Sequence, residues 1–163
     1  MSIRTYDYIL VGQGIAGTAL AWHLLEAGKR ILIVNDATRP SASLVAAGIY
    51  NPLTGRKLVK TWMADTIFPY AVDFYTRLEG TLQNRFVHPL SIYRPYRSLE
   101  EQKNYSAYAS ETEIAEYVFN EPESQPDRKG LNFPFGGLLV KGGGWIDVAA
   151  VIQKSRESFI ENN

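Results

Sequence analysis

Residues 7–36 read DYILVGQGIAGTALAWHLLEAGKRILIVND, and the fold turns on them. Tyr8, Ile9, Leu10 and Val11 form an unbroken apolar run, the pattern of a parallel strand buried on both faces. Gly12, Gly14 and Gly17 follow as GxGxxG. The first glycine permits a tight turn, the second lets backbone approach a pyrophosphate, and the third lets helix and strand pack closely. The next helix would aim its first amides and the positive end of its dipole at that charge. Ala16, Leu20, Leu24 and Ala27 recur at helical spacing and are expected on the sheet, with Thr18 and Glu26 turned elsewhere. Gly28 stops the helix, with Lys29 and Arg30 just past its negative end. Ile31 to Val34 then supply a second buried strand. A glycine motif alone is weak evidence. Set between strand, helix and second strand, it favours dinucleotide binding over a turn that merely packs a helix on a sheet.

One position departs from the pattern. The acid expected about 20 residues beyond the glycines, which would bond ribose hydroxyls, is replaced by Asn35, with Asp36 next. Asn35 can make one such bond without the charge, and Asp36 could substitute after a small backbone adjustment.

The following segment separates the candidate dinucleotides. A simple NAD-type unit would continue through a short loop into another helix. Here Ser41, Ala42, Ser43, Ala46, Ala47 and Gly48 form a long small-residue stretch, followed by Asn51-Pro52 and Thr54-Gly55. Small side chains let backbone come close to an extended ligand, and serines supply hydroxyls for phosphate oxygens. A flexible surface loop is the competing reading.

The stretch VGQGIAGTALAWHLLEAGKRILIVND together with SASLVAAGIYNP resembles the FAD-dependent oxidoreductases that include D-amino acid oxidase, glycine oxidase and sarcosine oxidase, and the oxidase domain of bifunctional tRNA-modifying enzymes. The resemblance implies FAD as cofactor, Ser41 and Ser43 near its phosphates, and Ala46, Ala47 and Gly48 near the flavin ring. With the glycine turn, the expected cofactor contacts are Gly12, Gly14, Ile15, Ala16, Gly17, Asn35, Asp36, Ser41, Ser43, Ala46, Ala47 and Gly48. GGGWID, residues 142–147, resembles the family element where the chain returns from the substrate domain to the FAD domain. Asp147 reads independently as a helix N-cap before VAAVIQKSRESFIE.

The expected architecture is α/β: a Rossmann-like FAD-binding βαβ fold with part of a β-rich substrate domain, truncated relative to the family. Residues 1–80 form the first FAD-binding part, 81–135 a partial substrate-type domain, and 136–163 the return. In the middle, MADTIFPYAVDFYTRLEG reads as a helix, or two, interrupted at Pro69. RFVHPLSIYRPYRS reads as an edge or bent strand broken by Pro89 and Pro95. SLEEQKNYSAYAS reads as a short polar helix, EPESQPDRKG as a loop, and FGGLLVKGG as a strand ending in a glycine turn. Arg94 or Arg97 could bind a carboxylate bidentately, although surface arginines in a strand or loop are the stronger reading. His88 has no evident partner, and His23 reads as a packed or half-exposed helix residue.

Composition narrows the classes. Seventeen basic residues balance seventeen acidic ones, so no global field favours nucleic acid or anionic membrane. With no cysteine in the 163 residues, disulfides, thiolate metal sites and cysteine nucleophiles are excluded. No metal-ligand spacing and no GKS/GKT loop is present. The start has too short an apolar run for a secretory signal. No segment reaches the ~18 apolar residues of a membrane span. A cytoplasmic location is expected. The function that the family resemblance implies is oxidation of the C–N bond of a small amine or amino acid by hydride transfer to flavin. The alternatives are a non-catalytic, incomplete nucleotide-binding module and an NAD(P)-binding oxidoreductase. A sheet edge left by missing strands leaves room for a homo-oligomer that covers it.

Overall fold

The structure is a computed structural model and describes residues 4–39, 41–55, 57–109, 113–119 and 134–161. The hydrophilic loop expected at 121–130 lies outside the described residues. The chain divides into two compact units, residues 1–48, 76–86 and 147–163, and residues 49–75 and 87–146.

The first unit holds the motif. Strand β1 (Tyr8–Val11), helix α1 (Ile15–Glu26) and strand β2 (Ile31–Val34) follow as the sequence predicts. The strands pair in parallel, with Tyr8 opposite Ile31 and Val11 opposite Val34. A reciprocal clasp pins the sheet at its base. Asp7 N donates to the Arg30 carbonyl at 2.8 Å, and Arg30 N donates to Asp7 Oδ2 at 2.8 Å. Helix α2 (Ala42–Val45) is a single turn capped by Ser41, whose Oγ accepts from Ser43 N.

Two expectations are corrected here. The strands are not buried on both faces: Leu10 is 9% exposed, whereas Ile9 and Val11, on the opposite face by strand alternation, are 64% and 85% exposed. The described sheet has two strands, and α1 packs against one face of it. The second correction concerns α1, whose fully buried residues are Thr18 and Ala21, while Ala16, Leu20 and Ala27 are exposed. The small residues Gly17, Thr18 and Ala21 allow the close approach, and Leu20 lies off that face.

Later in the chain come β3 (Ile49–Tyr50), β4 (Leu53–Thr54), β5 (Val59–Lys60), α3 (Ala64–Leu82), β6 (Val87–Pro89), β7 (Ile92–Pro95), α4 (Leu99–Ala109), β8 (Val118–Phe119), β9 (Gly137–Val140), β10 (Gly144–Ile146) and α5 (Val148–Glu161). The helix α3 runs unbroken through Pro69. Proline there withholds one donor, the one owed to the Asp65 carbonyl in the helix's first turn, so the loss falls near an end rather than mid-helix. Asp147 caps α5 as expected, its Oδ1 accepting from Ala150 N at 3.0 Å.

The second unit is β-rich. Its sheets run β3-β10-β6 and β7-β9-β8, with β4-β5 as a hairpin, all antiparallel. The single bent strand expected over 85–98 is two strands in different sheets, divided at Leu90 and Ser91. Leu53, Leu58, Tyr96, Ala109, Ile114, Val118, Leu138 and Val140 close a core between them. His88 stacks on Trp145 across the β6–β10 pair, ring centres 3.9 Å apart.

Among the described residues no helix is long and apolar enough to cross a membrane.

Candidate cofactor site

The site is built at the upper end of β1 and β2. The chain leaves β1 through Gly12, whose φ of +93° lies in the region that disfavours side chains, and Gly12 N donates to the Val34 carbonyl at 2.8 Å. A Cβ built on Gly17 would fall on the Gly12 carbonyl oxygen, so only glycine lets α1 start this close to the strand. No acidic residue stands in the first turn of α1. The positive end of its dipole is therefore not offset by a carboxylate of its own.

The serine segment folds back onto this turn. Ser43 Oγ accepts from Ile15 N at 3.1 Å, across 28 residues of sequence. A Cβ on Gly14 would sit 3.1 Å from that same oxygen and 3.9 Å from Ser41 Oγ. Gly12, Gly14, Ile15, Gly17, Ser41 and Ser43 are thus gathered at one helix start. Ala16 lies one residue into α1 and is exposed. Ala46, extended in backbone, leads from α2 into Ala47 and Gly48; the two alanines are exposed, and Gly48 turns with φ +66°.

The two residues at the end of β2 are both engaged. Asn35 Oδ1 accepts from Gln13 N at 2.9 Å, clamping the glycine turn to the second strand. That leaves the amide NH2 of Asn35 as its remaining group, a donor where an acid would have been an acceptor. Asp36 turns into its own loop, accepting from Thr38 Oγ1 at 2.6 Å and Thr38 N at 3.0 Å, with Arg39 Nε at 3.2 Å. The Thr38 hydroxyl, then the Thr38 amide and Arg39, hold this carboxyl below its ordinary range.

Sequence reasoning missed Gln13 and Arg156. Gln13 occupies a variable place within GxGxxG, yet its side chain is buried and its Oε1 accepts from Arg156 Nε at 2.9 Å. Arg156 reaches it because α5 is locked to α1: Trp22 Nε1 donates to Ser155 Oγ at 2.8 Å, and the Trp22 and Phe159 rings lie 5.0 Å apart. Nothing in the spacing of residues 143 apart signals such a contact.

The arginines of the second unit have local partners. Arg94 donates to the Gly55 carbonyl at 2.5 Å and to Tyr105 OH at 3.3 Å. Arg97 pairs with Glu101 at 3.0 Å. Both contacts match the surface-arginine reading rather than a carboxylate clamp.

A parallel βαβ unit whose glycine turn clears the start of its helix defines the class: a dinucleotide-binding α/β protein. The chain belongs to the FAD dependent oxidoreductase (DAO) family, whose model matches residues 7–163. FAD is the cofactor of that family. The chain is 24% identical over 157 residues to the tRNA 5-methylaminomethyl-2-thiouridine biosynthesis bifunctional protein MnmC of Marinobacter nauticus, covering 93% of this chain and 24% of that protein. Its fold matches glycine oxidase from Bacillus cereus with a TM-score of 0.67 at 19% identity, over 94% of this chain and 44% of that one. L-Amino acid deaminase from Proteus myxofaciens matches with a TM-score of 0.66 at 13% identity, over 98% of this chain and 37% of that one. The chain therefore spans less than half the length of each of these relatives.

Proposed function

We propose that residues 12–17 and 41–43 hold the pyrophosphate of FAD and that the protein oxidises the C–N bond of a small amine or amino acid. The observation that carries the binding reading is the return of Ser43 to Ile15 N and Gly14, which brings a hydroxyl from the second segment to the helix start. That hydroxyl stands where a phosphate oxygen would be received, and it can rotate to donate to one. Gly12, Gly14 and Gly17 add no side chains of their own to the turn, and the start of α1 adds fixed positive potential. Asn35 offers its NH2 to the ribose, and the small-residue run Ala46 to Gly48 offers backbone to the flavin. When bound, FAD supplies the two-electron acceptor; the chain's own part is to grip and orient it.

Support for the substrate class comes from the relatives: glycine oxidase and L-amino acid deaminase are named for amino acids, and the tRNA-modifying relative for an aminomethyl group. The test is the visible spectrum of the purified chain after FAD is added and excess removed by gel filtration. A retained flavin band that bleaches anaerobically with glycine or another amine supports the reading. Retained flavin that no amine bleaches removes the substrate claim, and colourless folded protein removes the binding claim.

A further inference from the structure

Strand β2 presents an open edge. The carbonyls of Arg30 and Val34 face β1, accepting from Asp7 N and Gly12 N at 2.8 Å each. Backbone groups alternate along a strand, so the N–H and C=O of Ile31 and Ile33 face the other way. Among the described residues no strand pairs with β2 on that side. A groove of about 960 Å³ runs along this edge, from Asn35 at the top to Arg4 and Lys29 at the base. Trp22 and Leu25 of α1 and Phe159 and Ile160 of α5 give it an apolar wall, with Leu25 and Ile160 themselves 39% and 71% exposed. Its charge is of one sign. Arg4, Lys29, Arg30 and Arg156 line it, and among the described residues no aspartate or glutamate does. Arg30 is matched by Asp7 at 3.3 Å, and Arg156 donates to Gln13. The Arg4 and Lys29 side chains make no hydrogen bond or ion pair with a described residue.

We propose that this groove is a strand-acceptor site. It takes an extended segment of a partner polypeptide, apolar along β2 and acidic where it ends beside Arg4 and Lys29. The Ile31 and Ile33 backbone supplies the ladder, the α1 and α5 wall receives alternate side chains, and the two unmatched cations select the acid. A long-chain carboxylate would match the charge and the wall but leave the Ile31 and Ile33 backbone unpaired. The edge is not self-complementary either: a second copy would bring its own Lys29 and Arg30, and its Asp36 is already held by Thr38 and Arg39. The inference does not depend on the flavin reading and is tested without flavin.

The test is fluorescence anisotropy of short labelled peptides with the flavin-free 163-residue chain. The parent probe alternates valine and threonine and carries a pair of aspartates at one end. It is made with the aspartates at either end, because the ladder can run parallel or antiparallel. A lysine counterpart replaces the aspartates, and two further forms are N-methylated on alternate residues, one on each set. One orientation of the acidic peptide should bind, with the lysine counterpart about three- to tenfold weaker, the scale of one or two screened ion pairs. Only one methylated form should bind, since a strand donates to its neighbour from every second residue. Any result in which the two methylated forms do not differ overturns the ladder. Lys29→Glu should turn the preference towards the lysine peptide, and Arg4→Glu carries the same comparison should the first variant not fold. A preference unchanged in both variants overturns the assignment of charge, and with it the partner's chemistry. Binding of laurate without binding of any peptide makes the groove an anion pocket and overturns the proposal. A chain that sediments as a dimer and takes no peptide has a second copy on this edge, which overturns it equally. So does the absence of binding by every probe up to about 1 mM.

Discussion

In the β1–α1–β2 unit the glycine turn and the flank of the sheet differ in how fully their groups are partnered. At the top, the Gly12, Gln13 and Ile15 amides all have named acceptors, drawn from residues up to 28 positions away. Along the flank, Ile9, Val11 and Val34 present bare apolar side chains. The second unit shows what a covered sheet looks like, with Leu138 and Val140 of β9 essentially inaccessible between β7, β8 and α4. The contrast separates two kinds of determinant. The glycine turn is fixed by backbone sterics and local hydrogen bonds, which need few neighbours. Burial of a strand needs a second layer on each face, and the described sheet has one.

The largest break in that comparison should come from Gly17→Val. Its side chain would displace the Gly12 carbonyl, so a loss upwards of about 3 kcal/mol and complete loss of ADP binding are expected, read by thermal melting and titration. Next is a paired truncation. Leu138→Ala should cost about 2–5 kcal/mol as a core cavity, whereas Val11→Ala should fall within about 0.5 kcal/mol as a surface change. Equal costs in urea denaturation would mean that the β1 flank is covered in solution. Ser43→Ala, which strips the acceptor from Ile15 N, should cost about 1 kcal/mol, the usual value of a helix-start cap. A fall in FAD affinity beyond that of the unrelated cap variant Asp147→Ala would give Ser43 a ligand role as well.

The smallest effect is in pH. The backbone amide and then the side chain of Arg30 hold Asp7 below the usual carboxylate range, and the side chain and then the backbone amide of Arg97 do the same for Glu101. A carboxyl with a depressed folded-state pKa stabilises fully above its unfolded value, and the contribution is lost as pH falls through the folded one. Urea midpoints should therefore hold from pH 7 down to about 4 and decline below it. Asp7→Asn and Glu101→Gln should each flatten that decline slightly. Both carboxylates are solvent-screened, so an unchanged slope in either would mark that pair as energetically idle.

The β1–α1–β2 order, the Asp147 cap and the strand before the Gly142 turn were legible because each is written in consecutive residues. A glycine that permits a turn, an Asp that caps a helix and a period-2 or period-3.6 pattern act over a few positions. The same local logic misassigned the faces of β1 and α1. An apolar run says that a strand would gain from burial, not whether a second layer is there to supply it. It also left open an interruption at Pro69, where only one backbone bond near the helix start was at stake.

What the sequence determined by itself is the glycine turn and the family to which the chain belongs, since both rest on residues whose chemistry is fixed by their immediate neighbours. What only the tertiary structure decided is how that turn is braced. Ser43 on Ile15, Asn35 on Gln13, and Arg156 on Gln13 are contacts across 28, 22 and 143 positions. Their formation depends on helix packing, the Trp22–Ser155 lock above all, and a side chain's reach after packing is not encoded in any local pattern.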